Sequence, residues 1–69
     1  MDNIITERKQ KADDVRGYIR KHRIYQKEIA PRMGVTVSAL QNGIRNPDCH
    51  SIKWWERVEA AAKAALELR

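Results

Sequence analysis

The sequence predicts an all-α protein, a compact bundle of four to five short helices. Two observations carry that expectation. Apolar residues recur at three- and four-residue spacing along the chain, and no alternating stretch reads as a strand. Gly17, Pro31, Gly34, Gly43 and Pro47 punctuate this pattern into short segments. A chain of 69 residues has room for one domain spanning 1–69, and its core is small enough that a partner subunit is the expected supplement.

The first helix is expected from about Thr6 to His22. Ile5, Arg8, Ala12, Val15, Ile19 and His22 form one stripe, with Tyr18 beside it. Gly17 either interrupts this helix, at about 1 kcal/mol against alanine, or lets a neighbouring helix approach closely. A short second helix runs from Gln26 to Met33 and stops at Gly34, which accepts the left-handed turn. Pro31 falls inside it and is expected to kink or break it. Thr36 has the character of an N-cap for a third helix ending near Gly43 or Ile44, where Asn42-Gly43 and Asn46-Pro47 read as turn signals. The last helix, about 49–68, takes Asp48 or Ser51 as its cap. Its stripe is Ile52, Trp55, Val58, Ala62 and Leu66, flanked by Trp54, Ala61, Ala65 and Leu68. One tryptophan fills the core; the other is core edge or dimer contact.

The informative block runs from Gln26 to Leu40. Two short helices joined through a tight turn need a small residue at their closest approach, supplied by Ala30, and a positive φ at the turn, supplied by Gly34. Ile29, Met33, Val35 and Leu40 would wedge the angle between them. Thr36, Val37, Ser38, Gln41 and Asn42 then remain exposed, with Arg45 just beyond. These are short or amide side chains suited to base edges, followed by a cation.

This block resembles the helix-turn-helix of the Cro and lambda-repressor-like family, common in phage and bacterial regulators. Gln26, Ala30, Gly34 and Val35 match that family's Gln, Ala and Gly-Val positions, and Ile29, Met33 and Leu40 match apolar ones. The string Ala39-Leu40-Gln41-Asn42-Gly43-Ile44 is similar to its helix end. Tyr25 stands where the family usually has Ser or Thr, and Gly43 where it has an apolar residue. The resemblance covers roughly Val15 to Leu66, with the motif at about 26–45. It implies a DNA-binding domain that meets double-stranded DNA as a homodimer. Gln41 and Asn42 would reach adenine, and Arg45 guanine or phosphate. Gln26, Lys27 and Thr36 would meet the backbone, with Val37 and Ser38 beside the base edges.

Charge placement agrees with a polyanion partner. The net charge is +5. Between Arg16 and Pro47, seven basic residues (Arg16, Arg20, Lys21, Arg23, Lys27, Arg32 and Arg45) face one acid, Glu28, giving +6 there and −1 elsewhere. The lone Cys49, beside a surface His50 and far from His22, suggests neither a disulfide nor a metal site. No nucleophile–base pair, phosphate-binding glycine loop or carboxylate pair points to an enzyme, a cofactor or a small-molecule substrate. Neither a membrane span nor a leader pattern is visible, so a cytoplasmic protein is expected.

The leading expectation is a sequence-specific transcriptional regulator, a repressor on a palindromic operator, in the style of a phage or mobile-element control protein. Two alternatives stand beside it. One is an architectural or recombination-accessory DNA-binding protein. The other is a protein-interaction module of antitoxin or antirepressor type, working through Trp54 and Trp55.

Overall fold

The computed structural model describes residues 3–46 and 50–68, with side chains from Glu7 onward. Expectations placed on Ile5, Pro47, Asp48 and Cys49 therefore lie outside the described residues or side chains. Four helices follow one another, α1 (Asn3–Lys21), α2 (Gln26–Met33), α3 (Val37–Arg45) and α4 (Ile52–Glu67), and no strand occurs among the described residues.

α1 keeps the stripe that the sequence predicts, with Ala12 and Val15 buried and Tyr18 and Ile19 packed at the core's edge. Arg20 and Lys21 sit in its last turn, where cations complement the helix dipole. It continues through Gly17, and open space surrounds the place a Cβ would take there. Gly17 therefore mediates no close helix approach. α1 stops without a glycine. Arg23 takes the left-handed turn at φ 53°, and the Ile24 amide donates back to the Ile19 carbonyl at 3.0 Å. Ile24 then turns into the core, 5% exposed, which is the apolar contact that stabilises this kind of helix stop.

α2 begins at Gln26 even though Tyr25 offers no capping oxygen. The Glu28 carboxylate reaches back and satisfies another free amide at this end, accepting from the Tyr25 backbone N–H at 3.0 Å. Contrary to the expected break, the helix runs on through Pro31. Pro31 and Lys27 are both exposed, so the hydrogen bond that proline withholds is missing on the solvent side. Gly34 ends the helix at φ 72°, and Val35 donates to the Ala30 carbonyl at 3.1 Å. At that same end Arg57 of α4 donates from Nη2 to the Met33 carbonyl at 3.2 Å.

Thr36 caps α3 as expected, its hydroxyl accepting from the Ala39 amide at 3.1 Å. The end of α3 differs from expectation. Asn42-Gly43 is not a stop; the helix continues to Arg45, and Asn46 closes it by donating to the Asn42 carbonyl from its amide at 3.0 Å and its side chain at 3.1 Å. Gly43 is interior because Trp54 occupies the space beside it. A Cβ there would lie 2.6 Å from two indole carbons and 2.7 Å from His50 Nε2. His50 is accordingly not a surface imidazole: it is half-buried and stacked on Trp54 at 3.9 Å between ring centroids. Gly43→Ala is expected to destabilise the fold by about 1–2 kcal/mol, overpacking outweighing the roughly 1 kcal/mol gained in helix propensity. Urea denaturation reads this directly, and Trp54→Ala in the same chain should reverse the sign.

Ser51 caps α4, its hydroxyl accepting from the Trp54 amide at 3.4 Å. α4 packs on both α1 and α2, and α3 packs on α2. The core is Ala12, Val15, Ile24, Ile29, Ala30, Met33, Leu40, Trp55, Val58, Ala61, Ala62 and Ala65. Trp55 fills its centre, while Trp54 packs edge-on to it at 4.9 Å and belongs to the core's rim. Leu68, by contrast, is 74% exposed. The Cα radius of gyration, 11.6 Å, is near the roughly 11 Å of a compact chain this long.

An ion pair ties α1 to α4, Lys11 Nζ to Glu59 Oε1 at 2.9 Å. The hydrogen bond between them, more than charge alone, raises the Lys11 pKa and lowers that of Glu59. Both side chains are more than a quarter exposed, so the pair contributes about 1 kcal/mol at most. Glu59's share is lost as pH falls through its lowered pKa, and Lys11's as pH rises through its raised one.

Candidate nucleic-acid interface

The turn Gly34-Val35-Thr36 fixes how α3 stands against α2. Three side chains wedge the junction from beneath, Ile29 and Leu40 fully buried and Met33 6% exposed, with Val35 half-buried beside them. Ala30, 1% exposed, leaves room at the junction where a larger side chain would press the helices apart. The result is a short helix anchored along one side and open along the other.

α3 buries Leu40 and Gly43. At 100° per residue, the opposite side carries Ser38, Asn42 and Arg45, and all three are exposed. Val37, 43% exposed, and half-buried Gln41 lie on the flank towards Ile44. Thr36 is exposed at the helix start, though its hydroxyl is already committed to the cap. Only its remaining hydrogen-bonding capacity is open to a ligand. Gln26 and Lys27 open α2. Gln26 is half-buried, and exposed Lys27 holds its ammonium 5.4 Å from the centre of the Tyr25 ring.

Thr36, Val37, Ser38, Gln41, Asn42 and Arg45 thus share one helix and its cap. Gln26 adjoins them indirectly: it lines a cleft with Ile44 of α3 and Arg16, Ile19 and Arg20 of α1. The sequence reading counted Arg16 and Arg20 as part of a basic stretch but not as site residues. Their i, i+4 spacing was visible; the approach of α3 to them was not.

No protein-family model, curated protein or solved structure matches the chain significantly.

Among the described residues no charged side chain is buried, and no three potential metal ligands cluster. The groups that offer themselves are amides, a hydroxyl, a valine and cations, all at or near the surface. No described helix is long and apolar enough to cross a membrane. Of the two tryptophans expected to form the surface of a protein-interaction module, only Trp54 is partly exposed. Trp55 is fully buried, and Trp54 is engaged with Gly43 and His50.

Proposed function

We propose that the protein is a sequence-specific DNA-binding regulator, a repressor that binds a palindromic operator as a homodimer. α2, the glycine turn and α3 act as a helix-turn-helix, with α3 as the recognition helix in the major groove. The observation that carries the reading is the outward side of α3. Ser38, Asn42 and Arg45 are exposed on a helix whose other side is locked by Leu40 and by Trp54 against Gly43. A rigid helix is what sequence readout requires, because a misplaced amide forfeits its bidentate bond to a base.

Asn42 and Gln41 read base edges, Val37 offers an apolar contact to a thymine methyl, and Arg45 takes guanine or phosphate. Gln26 and Lys27 hold the sugar-phosphate backbone, as does Thr36 at the cap. The +6 stretch that contains these residues supplies the long-range attraction to DNA. Homodimerisation supplements a small core and doubles the number of bases read.

A titration tests the reading. The purified protein is expected to bind duplex DNA from its own upstream region at least about a thousandfold more tightly than random duplex at physiological salt. Equal affinity for both would remove the regulator reading and favour the architectural one.

A further inference from the structure

A cleft of about 190 Å³ opens where α1, α2 and α3 converge, lined by Arg16, Ile19, Arg20, Gln26 and Ile44. Arg16 and Arg20 stand one turn apart, so both guanidinium groups rise from the same side of α1. Two like charges one turn apart on a helix repel mildly, and an anion between them would relieve that repulsion. The acids nearby do little to supply one. Arg16 reaches Asp13 only at 4.0 Å, and both side chains are well exposed. Glu28 turns its carboxylate to the Tyr25 amide at the start of α2. No side-chain hydrogen bond or ion pair holds the Arg20 guanidinium among the described residues, and each guanidinium has five N–H donors in a fork that matches phosphate oxygens. Gln26 adds an amide at the cleft's edge, and the positive end of the α2 dipole favours negative charge there.

Position decides which anion. Ile44 forms the cleft's α3 wall; Gln41 precedes it by one turn, and Arg45 follows it. A nucleic-acid strand whose bases met Gln41 and Asn42 would carry its backbone past this opening. We infer that the cleft seats one DNA phosphodiester, gripped by Arg16 and Arg20 with Gln26 as a further donor. The inference rests on the DNA-binding reading and adds to it a specific phosphate contact from α1.

The test pairs a protein change with a single-phosphate change. Wild-type chain and the Arg16→Gln/Arg20→Gln double variant are titrated with the preferred duplex over a range of salt. The titrations are repeated with duplexes in which one phosphate at a time is a neutral methylphosphonate. The double variant is expected to bind about tenfold or more weakly, with the preference between preferred and random duplex unchanged. Its salt slope should fall by about 0.9, the value of one phosphate rather than two. One methylphosphonate position should weaken the wild type by a similar factor and leave the double variant unaffected. Lys63→Gln on α4 serves as the control for general charge loss. Wild-type affinity and slope in the double variant, or additive losses at every methylphosphonate position, would overturn the cleft assignment while the DNA-binding reading stood. Failure of the wild type to bind any duplex would overturn both.

Discussion

Trp55→Ala is expected to remove about 3–5 kcal/mol of stability. A domain of this size holds roughly 3–10 kcal/mol in total, so the variant should be largely unfolded near physiological temperature. The residue is 0% exposed, on the helix that packs against both α1 and α2. Truncation leaves a void on the buried side of α4, and packed helices relax only partly to close it. Trp55→Phe separates volume from polarity. The indole Nε1–H is buried without a hydrogen-bond partner, so phenylalanine removes an unsatisfied donor while keeping most of the ring. Its cost should be less than half that of alanine. Thermal melts by circular dichroism compare the two. Equal losses would show that the N–H finds an acceptor and contributes to stability.

Gln41→Ala combined with Asn42→Ala has the largest expected effect on function. Each amide that pairs with a base contributes about 1–3 kcal/mol of discrimination, so the pair should lose about a hundredfold or more on the preferred duplex. Binding to random duplex should change little, since it depends on phosphates. The melting curve should also stay close to wild type, because Asn42 is exposed and Gln41 only half-buried. That combination separates base readout from folding. Retained preference for the same duplex would assign readout to other residues, Ser38 and Arg45 first.

Much of the fold was legible because its signals are local. The spacing of Ala12, Val15 and Ile19, the glycine at 34 and the hydroxyl at Thr36 each act within one or two turns of chain. The elements they mark are present. The end of α1 and the start of α2 fall within a residue of expectation although their usual signals are missing, and the one misread turn depends on a distant partner. Arg23 performs the left-handed helix stop that glycine usually signals, and only the end of the apolar stripe marked it in the sequence. Tyr25 offers α2 no capping oxygen, and Glu28 reaching back satisfies another free amide at that end. Asn42-Gly43 reads as a turn when taken alone; Trp54, eleven residues beyond Gly43, makes that glycine an interior packing position.

The candidate site divides in the same way. Six of its residues lie on α3 or its cap, where helical spacing alone placed them together. The cleft needs Arg16 and Arg20 from α1, Gln26 from α2 and Ile44 from α3. Sequence separation hides such a meeting, because nothing local to Arg16 or Arg20 records that Ile44 lines the same cleft. Even the helix continuity through Pro31 depends on which side of α2 faces solvent, a tertiary fact.

Selection of preferred sites from a random duplex pool, using the purified chain, tests the central claim most directly. A recognition helix presented by a symmetric dimer predicts enrichment of two inverted half-sites whose centres lie about 10 base pairs apart. A pool that emerges with no enriched sequence would contradict it.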